Sequence, residues 1–319
     1  MSWATAMQDE VFLTFVAIAA GVLTLAGCIL AVLRFASGRD LSHAWLSYRS
    51  WLMMAPLFLA AVALGRTATI VFLTLLSLGA FKEFAKGTGL YRDWWMMAMV
   101  YLGVLGIGWT AWAEDPTEGR SGWLGMFLAL PVYVVALILI VPILRDRVKG
   151  QLQAMALATI GFIYIGWMFG HLAFMVNSPN AYGYVMFLVL AVEVNDVAAY
   201  TCGRAFGKKA LRANISPNKT VGGAVGALLV SLCLPFAFQF ALVDFDTTEL
   251  LLTGVIVGIG GQLGDLSISV IKRDLGVKDL GALIPGHGGI LDRIDSLVFV
   301  APVFFHMVHY YRGIYGATV

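Results

Sequence analysis

The residues best equipped for chemistry lie between Gly264 and Asp295. Gly264-Asp265-Leu266 is followed by Ser269, Lys272-Arg273 and Lys278-Asp279, then by Pro285-Gly286-His287-Gly288-Gly289 and Asp292-Arg293-Ile294-Asp295. Asp265 falls inside an apolar run, one to two helical turns from its end. A carboxylate at that depth in a bilayer is costly and marks a functional site by default. Glu193 and Asp196 are placed likewise near the end of an earlier run, and their three-residue spacing puts them on one helix face. Carboxylates gathered near one leaflet repel each other unless cations sit between them. Hard divalent cations with oxygen ligands, completed by phosphate oxygens, are the usual answer. The pattern therefore suits a magnesium-phosphate site. Gly288 and Gly289 offer bare backbone that can approach a phosphate, His287 lies in the same glycine-rich turn, and Lys219, Lys272, Arg273, Lys278 and Arg293 supply compensating positive charge.

A second polar stretch runs from Asp196 through Tyr200, Gly203-Arg204 and Gly207-Lys208 to Ser216-Pro217-Asn218-Lys219-Thr220. Gly207-Lys208 is not a P-loop: the spacing is wrong and no Ser or Thr follows the lysine. Ser216 to Gly223 reads as a polar turn opening a helix, whose backbone donors suit an anion.

The elements that must position these groups are apolar. Of 319 residues 60% are hydrophobic and 13% charged, far from the balance of a soluble domain. Ten apolar segments are expected to be helices: Val11–Leu33, Trp51–Leu64, Thr67–Phe81, Trp94–Trp112, Leu124–Leu144, Met155–Val176, Tyr182–Cys202, Val221–Leu242, Leu250–Ile271 and Leu297–Tyr311. The second and third are split only by Gly65-Arg66, so nine crossings is the competing count. With ten crossings and the N-terminus outside, 18 of the 21 Lys and Arg fall in cytoplasmic loops, leaving Arg66, Arg120 and Arg312 outside. That asymmetry is the positive-inside pattern. Asp9 and Glu10 stand where a signal peptide would be basic, so Val11–Leu33 is expected to remain as a transmembrane helix. The fold expected is an all-α, polytopic membrane bundle, with an N-terminal transmembrane region over 1–181 and a catalytic region over 182–319. A net charge of +2 implies no nucleic-acid partner, and Cys28, Cys202 and Cys233 share no metal-like spacing.

At these residues the chain resembles the phosphatidate cytidylyltransferase (CDP-diacylglycerol synthase) family. Its signature, S-x-x-K-R-x4-K-D-x-G-x-x-x-P-G-H-G-G-x-x-D-R-x-D, is matched from Ser269 to Asp295. The family's D-x-x-A-Y-x-x-G-R-x-F-G-K segment matches Asp196 to Lys208, and its S-P-x-K-T turn matches Ser216 to Thr220. The resemblance implies a membrane enzyme that joins CTP to phosphatidate with release of pyrophosphate. It implies Mg2+ as cofactor, admits a second cation such as K+, and makes a homodimer an expectation. Carried over by position, Asp265 and Asp292 resemble the metal-binding carboxylates, with Asp196 a further member. Lys219, Lys272 and Arg273 resemble phosphate contacts, and Ser216, Thr220, Lys278, Gly288, Gly289 and Arg293 belong to the same nucleotide-binding set. Two positions depart from the pattern, Gly222 and Ile268, each standing where the family has Glu. They suggest a divergent branch acting on phosphatidate or on another lipid phosphate. The competing class is a transporter with Glu193, Asp196 and Asp265 along an ion path. The simplest location is a bacterial inner membrane, with the active site facing the cytoplasm.

Overall fold

The computed structural model describes residues 1–37, 41–281, 284 and 288–315. A single turn of helix, α1 (Trp3–Ala6), precedes α2 (Glu10–Ser37), α3 (Ser42–Leu64), α4 (Arg66–Thr88), α5 (Trp94–Trp112) and α6 (Leu124–Leu144). Next, α7 (Gln151–Ile160) continues through a wider-wound stretch, Gly161–Met168, into α8 (Phe169–Phe174). Then come α9 (Ala181–Phe206), a hairpin of β1 (Ala210–Arg212) and β2 (Ser216–Thr220), α10 (Val221–Ala237), α11 (Thr247–Asp274) and α12 (Leu291–Arg312). Without water to receive them, backbone N–H and C=O groups must pair within each segment, and that is why the apolar runs are helical. Among the described residues, eight helices are long and apolar enough to cross a membrane. The chain is an all-α polytopic integral membrane protein.

The expected segments are all present, generally with longer ends than apolarity alone indicates. The second begins at Ser42 and the tenth at Leu291, because their polar first turns are helical as well. The break at Gly65 is complete. Its φ of 106° and ψ of −168° separate α3 from α4, which pack together, with the Thr69 hydroxyl donating to Ala61 O at 3.1 Å. The apolar stretch around Gly65-Arg66 is therefore two helices rather than one. Ser216 to Thr220 is a strand rather than a turn: it pairs antiparallel with β1, Ala210 opposite Thr220 and Arg212 opposite Ser216. Thr220 then caps α10, its hydroxyl accepting Gly223 N–H at 3.1 Å.

Contacts between loops sort the two ends of the bundle. At one end Arg66 donates to Asn177 and Ala111 O, Arg312 Nε donates to Glu249 at 2.7 Å, Tyr315 to Gly122 O and Tyr182 to Ser2 O. At the other, Arg145 pairs with Asp93 at 2.6 Å, Leu291 N–H donates to Glu83 and Arg273 to Ile215 O. The described basic loops gather at the second end, and the first residues of the chain lie at the first.

Helices α9 to α12 form the unit that carries the polar residues. Close approach is set by small residues on α11. A Cβ at Gly258 would lie 2.8 Å from Leu228 of α10, and one at Gly264 would lie 2.6 Å from the Asp295 carbonyl of α12. Asp265 follows directly and is thereby brought beside α12.

Candidate active site

A polar cavity of about 230 Å3 sits among these helices. Helix α9 supplies Glu193 and Asp196, α11 supplies Asp265 and Lys272, Asp279 follows α11, and α12 supplies Asp292, Arg293 and Asp295. The spacings explain the convergence. Glu193 and Asp196, and again Asp292 and Asp295, are three apart, and Asp265 and Lys272 are seven apart, so each pair shares a helix face.

Two carboxylates are held in place by a cation and a neutral donor each. Asp265 pairs through one oxygen with Lys219, which follows the hairpin turn, and accepts from the Ser269 hydroxyl at 3.2 Å through the other. Asp292 accepts from Lys272 at 2.9 Å and from Gly289 N–H at 3.0 Å. The second pair is the deeper, with side-chain exposures of 11% for Lys272 and 5% for Asp292. Gly288 adopts a φ of 79°, where a side chain would be strained, and a Cβ there would press on Asp292 at 3.0 Å. The buried Arg293 Nε has no hydrogen-bond partner among the described residues.

One residue from Asp196 a fully buried amide fixes the register of α9. Asn195 donates to the Ser231 hydroxyl of α10 at 2.9 Å and accepts from Gln262 of α11 at 3.1 Å. Gln262 stands three residues before Asp265, so the clamp aligns α9 and α11 one turn from the carboxylates they carry. Asn195→Ala leaves Gln262 without that acceptor and is expected to cost about 1–3 kcal/mol. A lower melting temperature of the purified protein in detergent checks this; unchanged melting refutes the clamp.

The cavity thus unites five of the expected residues, Asp196, Asp265, Lys272, Asp292 and Arg293, with Lys219, Gly288 and Gly289 in contact with its carboxylates. Others stand elsewhere. Arg273 is exposed and turned to the hairpin, donating to Ile215 O at 3.1 Å, because it points about 100° around α11 from the cavity-facing Lys272. Lys278 is exposed and outside the lining. Ser216 and Thr220 serve the hairpin and the cap of α10. His287 lies outside the described residues. Of the two departures from the family pattern, Ile268 is fully buried in the apolar core. Gly222 faces the backbone where α9 ends, a Cβ there lying 3.0 Å from Phe206 O.

Residue-type reasoning named Asp279 without giving it a role and passed over Glu83. Asp279 was visible as the acid of Lys278-Asp279, and it lines the cavity. Glu83 is 8% exposed, on a helix far from the motif in sequence, and its carboxylate accepts Leu291 N–H at 3.0 Å. Tyr164, which contacts the Ser267 hydroxyl, had no spacing signal at all.

Six carboxylates and two cationic side chains line the cavity. Such an excess of hard oxygen donors suits a magnesium ion rather than a soft metal. Among the described residues no three His, Cys, Asp or Glu stand together as a ready metal cage.

The chain is similar in sequence to several known proteins. Phosphatidate cytidylyltransferase of Staphylococcus haemolyticus is 42% identical over 161 residues, 50% of this chain and 60% of that protein. Phosphatidate cytidylyltransferase of Staphylococcus aureus is 43% identical over the same shares. The uncharacterized protein YnbB of Escherichia coli is 40% identical over 164 residues, 48% of this chain and 55% of that protein. The chain therefore spans little more than half the length of these relatives. The family match is broader, taking in the helices before the motifs as well as those that carry them: over residues 45–311 the chain matches, and belongs to, the cytidylyltransferase family.

Proposed function

We propose that this protein transfers a cytidylyl group from CTP to a lipid phosphate, phosphatidate first among them, to give CDP-diacylglycerol and pyrophosphate. The observation that carries the reading is the carboxylate-lined cavity, which holds the family's Asp265, Lys272, Asp292 and Arg293 and lies in the half of the bundle that ends in the basic loops. Relatives named phosphatidate cytidylyltransferase support the choice of lipid. Transporter sites lie near the midplane between repeated halves. A cavity set toward one end of the bundle does not favour that class.

In the reaction an oxygen of the lipid phosphate attacks the α-phosphorus of CTP. The bond from that phosphorus to the bridging oxygen breaks, and pyrophosphate leaves with the electron pair. The attacking phosphate is already ionised at neutral pH, so no base need take a proton. The protein's work is to place two anions in line and offset their repulsion. Lys219, Lys272 and Arg293 are the cations within reach of the cavity. Gly288 and Gly289 present backbone without side chains. Asp265 and Asp292, with Asp196 beside them, would hold Mg2+, which when bound neutralises nucleotide phosphate charge; a second cation such as K+ could be shared by the remaining acids. The acyl chains stay in the bilayer and CTP enters from the side of the basic loops, which we place in the cytoplasm of a bacterial inner membrane. A homodimer remains the family expectation.

The test is purified protein in phosphatidylcholine vesicles carrying phosphatidate or other lipid phosphates, with CTP and Mg2+. Solvent-extractable cytidine matched by pyrophosphate is expected with phosphatidate; no lipid-linked cytidine from any acceptor overturns the reading. Mg2+ together with CTP should also stabilise the protein against heat, by about 2.7 kcal/mol at a hundredfold excess over Kd. Chelation should cancel that gain, and a rise in melting temperature that survives chelation speaks against the ion.

A further inference from the structure

Resting on the proposed reaction, we infer that Glu83 is the positioning residue of the active site, seating on α4 the segment that carries Gly288, Gly289 and Asp292. Glu83 lies between Gly79 and Gly87 at four-residue intervals, so the three share one face of α4. Each receives part of the segment between α11 and α12. A Cβ at Gly79 would lie 2.6 Å from the end of Ile290, and one at Gly87 would lie 2.6 Å from the end of Leu280. Between them the Glu83 carboxylate is covered by Gly281 on one oxygen and Gly289 on the other, so closely that a side chain on either glycine would collide with it. The described residues Leu280-Gly281 and Gly289-Ile290-Leu291 thus rest on one groove.

The carboxylate does more than fill that groove. Its Oε2 accepts the N–H of Leu291, the first residue of α12, at 3.0 Å. A negative charge at a helix N-terminus is favourable, and a charge-assisted bond is stronger than a neutral one. Leu291 is followed by Asp292, whose carboxylate accepts both Gly289 N–H and Lys272. Fixing Leu291 and Gly289 against α4 therefore fixes the direction of Asp292 and of the glycine backbone. Glu83 is outside the cavity lining and acts through those groups. The first half of the chain is in this sense part of the nucleotide site.

The test uses the full chain in detergent, with hydrogen exchange of residues 280–294 read without substrate and steady-state kinetics read with it. Glu83→Ala is expected to raise exchange in that segment alone and to lower kcat/KM for CTP about 10–100-fold. KM for the lipid phosphate should stay near wild type. Glu83→Gln keeps an acceptor for Leu291 and should recover most of the loss. Should Glu83→Ala not fold, Gly281→Val presses on the same carboxylate from the other side and should give the same local loosening and the same CTP defect. Unchanged exchange in a folded variant overturns the inference, as does a loss shared equally by CTP and lipid. If the wild type makes no lipid-linked cytidine but the segment still loosens, the proposed reaction fails and the seat on α4 stands.

Discussion

Asp265→Asn is expected to lower cytidylyl transfer by about 10^3-fold while the protein melts close to the wild-type temperature. The two halves of that result have separate causes. Asp265 faces the cavity from α11, and its negative charge is what would hold a cation against the nucleotide phosphates. Its pairing with Lys219 is a weak contributor to stability, because the side chains are 28% and 21% exposed. Partly exposed pairs lie nearer the surface value of about 1 kcal/mol than that of a buried pair. Asparagine keeps the shape and can still accept from Ser269, the present donor to one carboxylate oxygen. Labelled CTP incorporation and a thermal melt on the same sample check both halves. Wild-type turnover would remove Asp265 from the chemistry.

The Lys272–Asp292 pair should behave in the opposite way. It is almost closed to solvent. Lys272→Met strands a buried carboxylate and Asp292→Leu strands a buried ammonium, and either is expected to destabilise the protein by about 3–5 kcal/mol. Replacing both together removes the uncompensated charge and is expected to restore much of the stability, since apolar substitutes for buried pairs are often neutral. Activity should stay lost in all three, because each lacks the phosphate contact, the carboxylate or both. A double-mutant cycle by chemical or thermal denaturation measures the coupling. Strict additivity of the two losses would show that the pair does not act as a unit, and a double variant that regains turnover would show that neither group touches the reaction.

Much of this site is readable as pattern. A carboxylate such as Asp265 inside an apolar run has few structural excuses, and the three-residue and seven-residue spacings place Glu193, Asp196, Lys272, Asp292 and Asp295 on faces that can converge. Gly65-Arg66 was ambiguous because composition does not show direction; the positive φ at Gly65 turns one apolar stretch into two helices. The hairpin of β1 and β2 was missed because Ser216-Pro217-Asn218-Lys219-Thr220 lacks apolar alternation, and its pairing depends on partners four to ten residues away in β1. Lys272 and Arg273 are adjacent cations, yet neighbours on a helix point about 100° apart, so one meets Asp292 and the other meets Ile215. Glu83 stood beside Lys82 and Lys86, whose charges read as topology signals. Its role depends on Leu291, 208 residues away, and no local pattern reports such a contact.

The central claim is that the cavity brings a nucleotide and a lipid phosphate together for attack at the α-phosphorus. It is tested most directly by supplying the reconstituted protein with CTP labelled at either the α- or the γ-phosphorus. The account predicts α-label in the lipid fraction and γ-label only in pyrophosphate, with neither transferred by Asp265→Asn. Label from the γ-phosphorus in lipid, or α-label transfer undiminished in that variant, would contradict it.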